Sequence, residues 1–338
     1  MSTIVSFLRC FLIVAMLVFS FSCMAQARDA AAFFPETEDP FMGNWKGRWS
    51  AEEEVNPDIV AQVIPRSGNR YEIRIVSKLF MRCPPLVQFE AEPKGDTITF
   101  NQGGIRGKIQ GDLFTGSQGK KTFEMRRYVH EIPTLGAPPP DGALVLFDGS
   151  NFDQWESAEG WELLEDGVAL VTPTGKYLVS KGRFRDVKLH VEFMLPCMPA
   201  ARGQQRGNSG VFLQDKYEVQ ILDSFGLEGY YDECGALYKV AAPMVNACLP
   251  PLRWQTYDIE FRAPRFDEDG NLLAYPRMTV YHNGVLIHND QEMPQITAWK
   301  ERERLEAPPR EPGPVKLQGH NNFVKFRNIW LVELDGDR

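Results

Sequence analysis

From Gly43 almost to its end, this chain consists of short runs in which apolar and polar residues alternate, broken by Gly, Asn and Asp. No long stretch carries apolar residues at helical spacing. Alternation at period two gives an extended segment one face for a core and one for solvent, so the pattern predicts strands throughout. Between Gly43 and Tyr128 the runs VAQVIP, YEIRIVSKLF, DTITF, GGIRGKIQGDLFTG and KTFEMRRYV follow one another at hairpin spacing. They predict a small antiparallel β-domain over 40–130. Trp45 and Trp49 in its GNWKGRW opening read as core plugs of a small barrel, with a sugar-stacking platform as the other reading. The stretch 131–142 is Pro-rich and aperiodic, which predicts a semi-rigid linker. Strand patterns then resume from LVLFDG to FVKFRNIWLVEL and predict a β-sandwich over 143–335. The charge- and Pro-dense run from Trp299 to Pro314 reads as a solvated excursion.

The first 27 residues read as an export signal. Arg9 supplies positive charge, Cys10 to Phe21 form an apolar run, and Ala25-Gln26-Ala27 has the small-x-small pattern of a cleavage site. The apolar run is short for a membrane span, so export to a periplasmic or extracellular space is expected, with no stable membrane insertion afterwards. Loss of Arg9 makes the chain more acidic than its formal net charge of −8. An acidic surface argues against a nucleic-acid partner. Cys83, Cys197, Cys234 and Cys248 lie beyond the signal, and in an oxidising compartment a disulfide is the expectation. Cys234 with Cys248 closes the shortest loop, although sequence alone allows three connectivities. No C-x-x-C occurs and the histidines are scattered, so no metal site is expected. Asp267-Glu268-Asp269-Gly270 reads as a hairpin turn rather than a calcium loop.

The segment NSGVFLQDKYEVQILD, Asn208 to Asp223, concentrates the polar chemistry. On a strand, Tyr217, Val219 and Ile221 take one face while Glu218 and Gln220 share the other. A bulge after Ile221 would add Asp223 to that polar set. The spacing resembles the E-x-D-x-x-E strand of laminarinase-type glycoside hydrolases, with Gln220 for the middle acid and Asp223 for the second Glu. A retaining hydrolase holds its two carboxyls about 5–5.5 Å apart. Four strand steps span about 13–14 Å, and Asp is shorter than Glu, so a double displacement is disfavoured.

Six motifs together carry a wider likeness: LFDGSNFDQW (146–155), RGNSGVFLQDKYEVQILDS (206–224), CGALYKV (234–240), WQTYDIEF (254–261), YHNGVLIH (281–288) and PVKLQGHNNFVKFRNIWL (314–331). The set is similar to the 3-keto-disaccharide hydrolase domain family, formerly a domain of unknown function. The resemblance covers about 143–335 and implies an all-β, concanavalin A-like jelly-roll β-sandwich, here preceded by the small antiparallel β-domain. It also implies an oxidised oligosaccharide or glycoside substrate whose C3 hydroxyl has become a ketone. A ketone at C3 acidifies the hydrogen on C2, and the enolate left by its removal expels the C1 substituent by β-elimination; water then adds. That route needs a base near C2, a donor or cation at the enolate oxygen and an acid near the leaving oxygen.

Glu218 is the expected base, against the alternative of a structural carboxylate paired to Arg. Asp223 is expected either as an acid or as a turn residue. The resemblance lifts His320 to a candidate acid or ketone ligand, and Arg327 to a candidate enolate clamp or an ordinary ion-pair partner. Gln220 and Gln318 are expected to read sugar hydroxyls. Asn208 and Ser209 are expected to touch sugar or cap a turn, and Tyr238 and Trp254 to stack on a ring or fill a core. No organic cofactor is required by this chemistry; lectin-like jelly rolls sometimes hold a structural Ca²⁺. The competing readings are a non-catalytic carbohydrate-binding module, an ordinary glycosidase and an adhesion protein that docks partners through 40–130.

Overall fold

A computed structural model describes residues 30–50 and 57–334. The expected export signal lies outside the described residues. Residues 30–38 belong to a unit of their own, with one helical turn in which Phe33 and Phe34 N–H donate to Ala30 O. Asp39–Arg338 make up the second unit.

The first eight strands are β1 (Gly43–Trp49), β2 (Asp58–Arg66), β3 (Arg70–Val76), β4 (Val87–Ala91), β5 (Thr97–Gln102), β6 (Ile105–Gln110), β7 (Leu113–Gln118) and β8 (Lys121–Tyr128). They form one antiparallel sheet in the order β4-β3-β2-β1-β8-β7-β6-β5. Its edges curl toward each other, and Phe89 of β4 meets Phe100 of β5 with ring centroids 4.7 Å apart. Trp45 is fully buried inside, its indole N–H donating to Phe41 O, and Trp49 packs edge-on against Phe123. Trp45 is therefore a core plug, as the usual burial of aromatic residues predicts, and Trp49 packs half-buried against the same core.

The remaining strands are β9 (Leu144–Phe147), β10 (Trp161–Leu163), β11 (Ala169–Val171), β12 (Leu178–Val179), β13 (Val187–Met194), β14 (Ser209–Leu213), β15 (Tyr217–Ile221), β16 (Trp254–Arg262), β17 (Arg265–Phe266), β18 (Leu272–Ala274), β19 (Arg277–His282), β20 (Val285–Glu292), β21 (Val315–Leu317) and β22 (Val324–Glu333). Two sheets make the sandwich: a larger one ordered β10-β11-β22-β13-β16-β19-β20, with β9 also on β22, and a smaller one ordered β12-β21-β14-β15. Val187, Leu189, Val191 and Phe193 of β13 meet Tyr217, Val219 and Ile221 of β15 in one core. Fold class is as the alternation and the resemblance imply: an all-β jelly roll behind a small antiparallel β-domain.

The Pro-rich stretch 131–142 is a packed crossing. It lies on the outer face of the larger sheet, where Thr134 Oγ1 donates to Asp258 Oδ2 (2.6 Å), Gly136 N to Glu192 Oε1 (2.5 Å) and Asn328 Nδ2 to Ala137 O (2.9 Å). Asp267 does end a hairpin turn, accepting from Asn271 N and Nδ2 between β17 and β18. The expected Cys234–Cys248 disulfide is corrected: Cys83, Cys197, Cys234 and Cys248 are free cysteines. Cys234 and Cys248 are both buried; Cys234 Sγ lies 3.2 Å from Tyr257 Oη, and Cys248 Sγ donates to Leu222 O (3.7 Å) and Leu249 O (3.5 Å).

Candidate functional site

β15 alternates as its sequence requires, with Tyr217, Val219 and Ile221 inward and Glu218 and Gln220 on the outer face of the smaller sheet. Antiparallel pairing sets Gly210 opposite Gln220 and Phe212 opposite Glu218, and Phe212 in turn opposite Lys316 of β21. By the same alternation Gln318 follows Lys316 onto this face. Tyr177 stands just before β12 and completes it.

Glu218 is 5 % exposed. Its carboxyl lies across β14 where Gly210 has no side chain: a Cβ there would fall 2.3 Å from Glu218 Oε1. Among the described residues the carboxyl has no hydrogen-bond partner. Burial pushes its pKa up to about 8, with the Lys316 ammonium pulling the other way. Lys316 pairs with Asp215 and lies 4.1 Å from the Tyr177 ring centre and 4.3 Å from that of Phe212. A carboxyl so placed changes protonation near neutral pH.

Three amides on or beside this face have their nitrogens engaged and their oxygens free. Asn208 Nδ2 donates to Gln204 O (2.8 Å) and Gln204 Oε1 (3.1 Å), Gln220 Nε2 to Gln204 Oε1 (3.0 Å), and Gln318 Nε2 to Tyr177 Oη (3.2 Å). Asn208 Oδ1, Gln220 Oε1 and Gln318 Oε1 are all buried without a partner. Buried acceptors normally find donors, so this face is built to receive hydroxyl hydrogens.

The rim comes from the segment that extends the sheet beyond β15. Gly235 N donates to Gln220 O, Gln220 N to Ala236 O and Tyr238 N to Glu218 O. The Tyr238 phenol is pushed up to about 12, by burial first and then by the charge of Glu218. Lys239, held in left-handed backbone at φ 62°, sets its ammonium 4.5 Å from the Tyr231 ring centre and 5.2 Å from that of Trp299, and bonds Asp232 at 2.6 Å. Thr297 ties the Trp299 segment to β15 by accepting from Glu218 N at 2.8 Å.

Ser209, Asp223, Arg327 and Trp254 are engaged elsewhere. Ser209 Oγ is buried and donates to Gln318 O (2.6 Å), a tether between strands. Asp223 accepts from Arg206 Nε at Oδ2 (2.7 Å) and from Phe225 N at Oδ1 (3.3 Å), a buried ion pair at the turn after β15. Burial still pushes its pKa up, against the nearby Arg206 charge. His320 is exposed, two residues beyond Gln318 at the end of β21. Arg327 and Trp254 are corrected as companions of Glu218, because they occupy the outer face of the larger sheet, across the core. There Arg327 Nε donates to Glu192 Oε2 (2.7 Å) and its guanidinium covers Trp254 at 4.1 Å. Lys316, Tyr177, Gln204 and Trp299 escaped the sequence reading. Lys316 was accessible to it, since K-L-Q in PVKLQGH places Lys316 and Gln318 on one face of a strand. No group of three or more His, Cys, Asp or Glu is placed to hold a metal among the described residues.

A candidate glycosyl hydrolase from Parabacteroides distasonis ATCC 8503, solved by crystallography, is similar at 37% identity and a TM-score of 0.53, over 58% of this chain and 85% of its own. A second such protein from the same organism aligns at 20% identity and a TM-score of 0.40, over 57% of this chain and 95% of its own. Among curated proteins none is significantly similar. The model of the 3-keto-alpha-glucoside-1,2-lyase-like domain matches residues 142–332, the span that contains every strand of the sandwich up to the last residue of β22 but one, and the chain belongs to that family.

Proposed function

We propose that this chain cleaves glycosidic bonds of sugars oxidised to a ketone at C3, and that Glu218 removes the C2 proton. The single observation that carries the reading is a buried carboxyl without a hydrogen-bond partner, pushed by burial to about 8, on a sheet face that also carries unpartnered amide oxygens. An ionised Glu218 takes the proton from C2, and the electron pair of the C–H bond forms the enolate onto the C3 oxygen. Lys316 is the cation suited to stabilise that oxygen. Collapse of the enolate forms a C1–C2 double bond and expels the C1 oxygen, which needs a proton; His320, exposed at the end of β21, is suited to give it. Addition of water across the double bond completes net hydrolysis. Asn208, Gln220 and Gln318 accept from the remaining hydroxyls and fix the ring. The chemistry asks for no organic cofactor, and residues 1–27 would deliver the protein to an exported compartment.

The test compares a 3-keto-glucoside with its unoxidised parent in deuterated buffer. Deuterium entering C2, together with cleavage of the keto sugar alone, both lost in Glu218→Gln, is the expected result. Cleavage of the unoxidised sugar without exchange would instead mark an ordinary glycosidase, and tight binding without any turnover a binding module.

A further inference from the structure

The loop 224–246 leaves the end of β15, carries the rim residues Tyr231, Asp232, Tyr238 and Lys239, and returns. Both of its ends are gripped by the first sheet. Arg82, in the connection between β3 and β4, donates from Nη2 to Gly229 O (2.5 Å) and Pro243 O (2.6 Å) and from Nε to Met244 O (3.0 Å). Arg74 of β3 pairs with Glu228 at 2.5 Å. Gly226, at φ 77°, lies so near β2 that a Cβ would fall 2.1 Å from Ile64 Cδ1. Phe80, in the same connection as Arg82, packs against the sandwich core and holds left-handed backbone at φ 54°. Such a conformation costs a bulky residue on the order of 1–3 kcal/mol and persists only where surrounding contacts enforce it.

Inside the loop the ends are coupled to the middle. Asn246 Nδ2 donates to Ser224 O (2.7 Å) and Leu227 O (2.9 Å), Glu233 Oε2 accepts from Gly229 N (2.6 Å) and Tyr230 N (3.0 Å), and Lys239 N donates to Tyr231 O (2.7 Å). We propose that the first β-sheet is a buttress for this rim, and that Arg82 is a positioning residue which holds the segment carrying Tyr238 and Lys239 alongside the Glu218 strand. The link to catalysis rests on the reaction proposed above; the mechanical link does not. Arg82 reaches three carbonyls with one planar fork, which a lysine ammonium cannot reproduce. Because Arg82 is itself exposed, its replacement leaves both cores intact.

Full-length wild type, Arg82→Ala and Arg82→Lys are compared by hydrogen exchange over 229–244 and by the titration of Glu218, followed by carboxyl NMR with Glu218→Gln identifying its signal. In Arg82→Ala, exchange across 229–244 rises roughly tenfold or more and the Glu218 midpoint falls from near 8 toward the ordinary carboxylate range, as water reaches the carboxyl. Arg82→Lys lies between. With a 3-keto-glucoside, kcat of the Ala variant drops by about tenfold and the acid limb of its pH profile moves down with the titration. Unchanged exchange overturns the buttress, and faster exchange with an unmoved Glu218 midpoint overturns its connection to the site. If wild type turns over no keto sugar, the reaction is wrong, yet exchange and titration still judge the buttress.

Discussion

Glu218 sets two opposing demands on one side chain. A base must be ionised, whereas its burial favours the protonated form, and a pKa near 8 leaves only a minor ionised fraction at neutral pH. Turnover should therefore rise with pH along a limb centred near 8. Lys316→Met removes the charge that opposes the shift, so the limb should move upward and kcat should fall by roughly 10–100-fold as the enolate loses its cation. The same burial has a cost in stability. The folded carboxyl binds its proton more tightly than the unfolded one, so its contribution is complete below about pH 4.5, declines as pH rises and is gone above about 8. Gln has no such decline. Glu218→Gln should match the wild type in stability near pH 4.5 and exceed it increasingly up to pH 8, by as much as a few kcal/mol, while turnover falls by about 10²–10⁴-fold. Melting curves of the two proteins across that range check the claim; a variant no more stable at pH 8 than the wild type would contradict the buried, unpaired carboxyl.

On the scale of strands, Glu218, Gln220 and Gln318 were legible because period two fixes which residues share a face. Lys316 obeyed the same rule and only went unread. What alternation cannot say is which sheet a strand joins. Trp254 and Arg327 have the correct parity to point outward from a sandwich, but β16 and β22 belong to the opposite sheet, so parity put them on the wrong side of the core. Asp223 was hidden differently: Ile221 and Leu222 both enter the core, the alternation breaks, and the partner that neutralises Asp223 is Arg206, brought in by a turn rather than by register. Gly210 shows what the strand pair does for the site. Its missing side chain is the groove in which the Glu218 carboxyl lies, with a hypothetical Cβ 3.0 Å from Cδ as well as 2.3 Å from Oε1. Gly210→Ala should push that carboxyl aside and lower kcat by roughly 10–100-fold, at an overpacking cost of about 1–3 kcal/mol. Circular-dichroism melting beside steady-state kinetics separates the two effects; a variant with full turnover would show that the carboxyl does not need this groove.

Across the whole molecule the two outer faces of the sandwich do different work. The smaller sheet carries the buried Glu218 carboxyl and its unpartnered amides on its outer face, whereas the larger sheet is covered by the crossing 131–142, whose Pro content in the sequence suggested only stiffness. What holds that crossing is a buried relay: His190 Nδ1 meets Asp258 Oδ1 at 2.7 Å, Asp258 Oδ2 takes the Thr134 hydroxyl, and Glu192 collects Gly136 N, Asn328 Nδ2 and Arg327 Nε. Burial acts to raise the Glu192 pKa, but hydrogen bonds from His190, Asn328, Arg327 and Gly136 outweigh it and hold the value at about 2. Stability from this carboxylate is thus present above about pH 4.5 and is lost as pH falls toward 2. Glu192→Ala should cost about 3–5 kcal/mol at neutral pH, because it strands charges and donors that the carboxylate now pairs. The deficit should shrink in acid, and limited proteolysis should cut within 131–142. Since the core separates Glu192 from Glu218, the folded variant should keep kcat on a 3-keto-glucoside within about threefold of the wild type. A large loss of kcat without loss of stability would instead place Glu192 and Arg327 in the chemistry and reverse the assignment of the two faces.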